Sequence, residues 1–135
     1  MSLWLELEQA GLDESRPLAA VLEAIPWNAE GLIAAIAQQH DNGEVLMLAW
    51  MNRTALEETL ASGQVCYWSR SRQQLWRKGQ TSGHRQRLIE ARLDCDGDAL
   101  LLLVEQQGPA CHTGRPNCFY NAIRDAQVSV ISVPQ

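Results

Sequence analysis

The sequence predicts an α+β domain, a sheet accompanied by a few short helices, and three patterns carry that expectation. Asp41-Asn42-Gly43 separates two apolar stretches, and Asn-Gly tolerates the positive φ of a tight hairpin turn. Thr54-Ala-Leu-Glu57 has capping-box spacing and opens a helix that Gly63 would close. Between Gln86 and Asp94, Ile89, Ala91 and Leu93 alternate with Glu90 and Arg92, the period-two signature of a half-buried strand.

In chain order, residues 1–26 read as an N-terminal helical extension and residues 27–135 as the main domain. Residues 1–12 form a weak first helix. Ser15 as N-cap, followed by Arg16-Pro17, leads into an apolar helix over Leu18 to Ile25, which Pro26 stops. Leu32 to Gln38 and Glu44 to Trp50 are the strands of the first hairpin. In the helix after Thr54, Leu56 and Leu60 are four apart and face the core. Gln64 to Arg70 and Leu75 to Lys78 read as two further strands. Ala99 to Val104 is apolar throughout, which suits an interior strand or one covered by a partner subunit, and Asp96-Gly97-Asp98 turns into it.

At 135 residues the chain has the length of one domain, and its hydrophobic fraction of 46% is that of an ordinary globular protein. No apolar run approaches the roughly 18 residues of a membrane span, and no secretory signal pattern opens the chain. The expectation is a cytoplasmic protein with reduced thiols, so its four cysteines point to metal or catalysis rather than to disulfides. The net charge of −5 conceals a basic block: from Gln64 to Arg92 there are seven Lys or Arg against the single acid Glu90. Such a block attracts phosphate, although alternating strand positions with solvated Arg would read the same way.

Residues 94–118 combine two kinds of metal ligand. Cys95, Cys111 and Cys118 offer soft thiolates suited to zinc, whereas Asp94, Asp96 and Asp98 offer hard oxygens suited to magnesium or calcium. The cysteines lack a C-x2-C pair, which excludes the common fingers and ribbons. Three thiolates without an obvious fourth protein ligand would leave a position for water, the mark of a catalytic zinc site; three unrelated buried cysteines would show the same spacing. The three aspartates repel one another unless solvated or bound to a cation. An EF-hand does not fit them, because its seventh and ninth positions would be Leu100 and Leu102 within an apolar strand. His112, beside Cys111, could carry a proton or be a fourth ligand, since histidine titrates near neutral pH. His84 adjoins the basic block, His40 is ordinary surface, and Cys66 is a core thiol.

Six segments resemble the phosphoribosyl-AMP cyclohydrolase family of histidine biosynthesis: Glu44 to Asn52, Tyr67 to Arg72, Leu75 to Gly79, Thr81 to His84, Asp94 to Asp98, and Ala110 to Gly114 with Cys118 to Tyr120. They run in the family's order over roughly residues 27–121. The resemblance implies a mainly antiparallel α+β fold and an intertwined homodimer. In it, Cys95 of one subunit joins Cys111 and Cys118 of the other around Zn2+, and Asp94, Asp96 and Asp98 hold Mg2+. The same resemblance implies a small phosphorylated nucleotide as substrate and hydrolysis of the N1–C6 bond of its adenine ring by a zinc-activated water. His112 is the first candidate for proton transfer and His84 the second. Arg70, Arg72, Lys78, Thr81, Ser82 and Gly83 are candidates to hold the phosphates, with Arg70 and Arg72 two apart on one strand face.

Two features depart from the family pattern. Gln80 stands where Glu is expected; it can accept a hydrogen bond as Glu does but cannot replace a proton carrier. Residues 1–25 exceed the usual short lead-in. The competing reading is a non-enzymatic zinc-stabilised module that binds RNA or nucleotides through residues 64–92. Net acidity and the absence of a recognised finger or RNA-binding motif count against it, so nucleic acid and membrane are not expected partners. A zinc deaminase is excluded because neither H-x-E nor P-C-x-x-C occurs.

Overall fold

The two stretches flanking Asp41-Asn42-Gly43 pair as an antiparallel hairpin, each one residue later than predicted, in a computed structural model that describes residues 2–135. Met1, part of the predicted first helix, lies outside the described residues. In chain order the elements are α1 (Leu3–Glu8), α2 (Leu18–Ala24), β1 (Ile33–Gln39), β2 (Val45–Met51), α3 (Arg53–Ser62), β3 (Cys66–Ser69) and β4 (Gln74–Arg77), followed by β5 (Gln86–Leu93), β6 (Ala99–Gln106), β7 (Asn121–Arg124) and β8 (Gln127–Val130). The first six strands form one sheet in the order β4-β3-β2-β1-β6-β5, and β7 and β8 form a separate hairpin. Only the β1–β6 pairing is parallel, so the sheet is mainly antiparallel and the fold is α+β as expected.

The sheet curls until its far edge returns to the residues before β3. Gln64 bridges Arg87, Val65 N–H donates to Gln86 O, and Leu88 N–H donates to Gly63 O. One face encloses the core, where Ala35, Ala37, Met47, Tyr67, Leu100, Leu102 and Val104 are buried with Leu22 and Ile25 at α2 and Leu56 of α3. The strand β6 lies between β1 and β5, an interior strand as expected; Leu100, Leu102 and Val104 face the core, and Leu101 and Leu103 on its other face are half-buried.

Three local predictions need correction. The N-cap of α3 is Asn52, whose side-chain oxygen accepts from Ala55 N–H; Thr54 is already inside the helix, and Glu57 pairs with Arg53 instead. Gly63 does close the helix, in a left-handed conformation that suits a residue without Cβ. Pro17, not Ser15, precedes α2, which has no side-chain cap. Finally, a bulge between Leu88 and Glu90 breaks the predicted alternation of β5. Leu88, Ala91 and Leu93 pack on the core, and Ile89 is turned out to 43% exposure.

A polar chain crosses the apolar interior. The Tyr67 hydroxyl donates to Gln86 Oε1 at 2.7 Å, and Gln86 Nε2 donates to Gln106 Oε1 at 2.9 Å. Gln106 Nε2 in turn reaches the carbonyls of His84 and Gln107. Because Tyr67 and Gln86 are fully buried, loss of one partner leaves the other unsatisfied. Tyr67→Phe should therefore cost about 1–3 kcal/mol in urea unfolding.

Candidate active site

The loop after β6 carries Cys111, His112 and Cys118, and backbone contacts fix it to the open end of the β5–β6 hairpin. Lys78 Nζ donates to Ala110 O at 2.6 Å, Lys78 N–H to Val65 O, and Val65 N–H to Gln86 O, the first residue of β5. Cys118 N–H donates to Leu46 O, and the C-terminal tail closes over the loop through Arg115 Nε to Ser132 O and Gln135 N–H to Gly114 O. Cys111 is thereby buried, while Cys118 and His112 are exposed.

The two thiols and Lys78 act on one another. Burial alone would push the Cys111 thiol up, but hydrogen bonds from the Thr113 hydroxyl and backbone, the Cys118 thiol and the Lys78 charge together hold it below the ordinary value. The Thr113 hydroxyl stands 3.1 Å from Cys111 Sγ. Although Cys118 is exposed, partial desolvation of its sulfur, and then Cys111 beside it, push it up to about 11. Burial lowers the pKa of Lys78 against the opposing attraction of both sulfurs. The half-buried Lys78 favours thiolate at Cys111, the form that binds a soft metal.

Cys95 is elsewhere in the chain. It occupies the turn between β5 and β6, at the opposite end of a hairpin whose eight-residue strands are about 26 Å long. Among the described residues the three cysteines do not gather around one point within a single chain. The three aspartates do: one oxygen each of Asp94, Asp96 and Asp98 lies within 4.8 Å of the others, a spacing that one oxygen-ligated cation can span. Asp94 Oδ1 accepts from the N–H groups of Asp98 and Ala99 at 3.0 and 3.3 Å, which sets the turn. Hydrogen bonding with the Asp96 and Asp94 carboxyls pushes Asp98 up to about 6.

The remaining predicted site residues fall into two groups. Lys78, Thr81, Ser82, Gly83 and His84 follow one another through the connection from β4 to β5, where the Ser82 hydroxyl accepts from His84 N–H and the His84 ring lies against Gly108. Arg70 and Arg72 are not on a strand face as predicted. Strand β3 ends at Ser69, and residues 70–73 make a turn in which Ser69 Oγ accepts from Arg72 N–H and Gln73 adopts a positive φ. Arg70 stands over the Trp50 ring, 5.0 Å from its centre. A cleft of about 310 Å³ opens beside the β4–β5 connection, lined by Glu58, Gln64, Arg77, Lys78, Gln80 and Arg85. Glu58 already holds Arg77 with two hydrogen bonds, which makes Arg85 the more available guanidinium there. Arg85 escaped notice in the sequence because nothing distinguishes it from its basic neighbours. His40 is not plain surface, because its Nε2 sits 2.6 Å from Glu105 Oε2.

Burial pushes the Cys66 thiol up to about 12. Enclosed and held as the neutral thiol, Cys66 should resist iodoacetamide in the native protein and react once it is unfolded. Peptide mapping by mass spectrometry reads the difference directly.

Comparison with known proteins bears on this site. The family model for phosphoribosyl-AMP cyclohydrolase matches residues 47–120. Phosphoribosyl-AMP cyclohydrolase 2 of Pseudomonas fluorescens is 79% identical over 130 residues, covering 96% of this chain and 88% of the relative. The phosphoribosyl-AMP cyclohydrolases of Alkalilimnicola ehrlichii and Halorhodospira halophila are 63% and 65% identical, covering 98% and 93% of this chain and 94% and 85% of the relatives.

Proposed function

The chain belongs to the phosphoribosyl-AMP cyclohydrolase family, and from that premise we propose that it opens the adenine ring of 1-(5-phosphoribosyl)-AMP in histidine biosynthesis, at a zinc centre shared by two copies of the chain. The observation that carries the shared centre is the separation of its ligands: Cys111 and Cys118 stand together at one end of the β5–β6 hairpin and Cys95 at the other. An isologous dimer brings opposite ends of two hairpins together twice, once at each site. The exposed apolar residues of the C-terminal hairpin and tail, with Ile123 at 82% and Val133 at 75% exposure, favour such a partner. In this reading residues 27–135 are the cyclohydrolase domain and residues 1–26 a helical extension. No described helix is long and apolar enough to cross a membrane, and the proposed location is the cytoplasm.

Ribosylation at N1 leaves the ring electron-poor and opens C6 to water. Water adds at C6, the N1–C6 bond breaks, and the ring opens to a carboxamide and a formimino group. Zinc, when bound by Cys95 of one copy and Cys111 and Cys118 of the other, supplies Lewis acidity that lowers the pKa of water from about 15.7 to about 7. His112 takes a proton as water adds and returns one to N1 as the bond breaks; His84 is the second candidate for either transfer. Lys78 keeps two donors beyond its bond to Ala110 O, and it favours the thiolates while facing the cleft. Thr81, Ser82 and Gly83, with Arg70 and Arg72, hold phosphate, and Arg85 adds a charge at the cleft. Mg2+ suits the three carboxylates of Asp94, Asp96 and Asp98. Gln80 lines the cleft and serves as a hydrogen-bonding group.

Ring opening followed by absorbance, in the purified protein with and without a zinc chelator, tests the proposal. Turnover that disappears with zinc and returns on its re-addition supports it. A folded, zinc-loaded dimer without turnover sinks it, and salt-sensitive RNA binding by that dimer would establish the binding module instead.

A further inference from the structure

The N-terminal extension reaches the acidic turn. Trp4, in α1, lies flat against Gly97, so closely that a methyl group added at Gly97 would overlap the indole. Gly97 is the residue between Asp96 and Asp98 and adopts a left-handed conformation with φ of +74°. The indole is fixed by its own ring nitrogen: Nε1–H donates to the Ala24 carbonyl at 2.8 Å, at the end of α2. Helix α2 is held in turn by Leu22, with Ile25 just beyond it, both buried in the core. Ser2 caps α1 by accepting from Leu5 N–H, which orients the single turn that carries Trp4. A continuous set of contacts therefore runs from the core through α2 and Trp4 to the turn that carries three carboxylates.

We propose that Trp4 is a positioning residue for the Asp94–Asp98 turn: the N-terminal extension braces that turn in the shape that gathers the three carboxylates around a divalent cation. The role in cation binding rests on the function proposed above; the brace itself rests on packing. Three like charges on a five-residue turn favour splaying. The turn's own restraints are hydrogen bonds near solvent: Asp98 and Ala99 N–H donate to Asp94 Oδ1, Gly97 N–H to Asp94 O, and Asp94 N–H to Ala99 O. A large flat ring seated on the one residue without a side chain blocks the outward opening of that turn. It does so without adding a charge or a ligand. This also gives residues 1–25 a purpose.

Hydrogen exchange and Mn2+ titration on the full-length wild type, Trp4→Ala and Trp4→Phe test the assignment. In Trp4→Ala, exchange at the Asp98 and Ala99 amides should rise about tenfold or more while β1 and β2 stay protected, because opening is local. Its Mn2+ affinity should fall about tenfold, at the low end of the loss seen when groups supporting metal ligands are removed. Trp4→Phe keeps a ring on Gly97 and should restore most of both. Unaltered exchange at the turn in Trp4→Ala, or a loss of protection spread evenly over the sheet, would overturn the brace. A wild-type turn that binds no Mn2+, with a local exchange effect still present, would remove the cation reading and leave the brace standing.

Discussion

A one-to-one mixture of Cys95→Ser and Cys111→Ser chains should recover about one quarter of wild-type turnover, although either variant alone should be inactive. Each homodimer lacks one thiolate at both of its sites. In a mixed dimer the two lesions fall on the same site, and the other site has Cys95 from the second variant with Cys111 and Cys118 from the first. Random pairing makes about half of the dimers mixed, and each has one intact site of two, which gives the quarter. The geometry behind the expectation is the length of the β5–β6 hairpin, whose turn holds Cys95 while Cys111 is tied through Ala110 and Lys78 to its open end. The chains are mixed by co-expression or refolding, mixed dimers are verified by tags, and turnover and zinc are measured together. Verified mixed dimers without turnover would place all three ligands within one subunit, whereas full activity of Cys95→Ser alone would show that Cys95 is not one of them.

Much of the fold was legible because its signals are local. Asn42-Gly43 marks a hairpin whatever surrounds it, and the unbroken apolar run of β6 marks a strand inside the sheet. The misplacements share one cause, a competition between neighbouring signals that only tertiary structure decides. Asn52 and Thr54 both make plausible caps, and Asn52 wins because β2 runs on through Met51 to within one residue of it. The bulge at Ile89 is invisible in the pattern of β5, because it follows from how that strand meets β6. Arg70 and Arg72 look like strand partners until the chain turns at Ser69 to return as β4.

The candidate site was legible as residue types and opaque as geometry. Spacing alone left Cys95, Cys111 and Cys118 as either ligands or buried thiols. Contact between Cys111 and Cys118, with Lys78 beside them, comes from segments 32 residues apart in the chain, between Lys78 and Ala110. No local pattern encodes that approach. The acidic turn is the opposite case, since three aspartates in five residues meet through backbone geometry alone. Even there, the indole that covers Gly97 comes from the far end of the sequence.

Replacing His112 with Ala should lower kcat by about 10²–10⁴-fold with little change in KM and full zinc content. His112 follows Cys111 directly, and its exposed side chain makes it available to substrate beside the thiol pair. A proton carrier contributes in the transition state and little to ground-state binding, so the loss should fall on kcat rather than KM. A zinc ligand would behave differently: its removal would release metal and lower both activity and dimer stability. Zinc analysis of His112→Ala therefore separates the two roles that spacing leaves open. His84→Ala provides the internal comparison. Its ring packs on Gly108 and its backbone carbonyl meets Gln106, so the substitution should disturb the loop and raise KM more than it lowers kcat. A large kcat loss in His84→Ala beside a nearly active His112→Ala would exchange their assignments, with His84 carrying the proton from the β4–β5 connection.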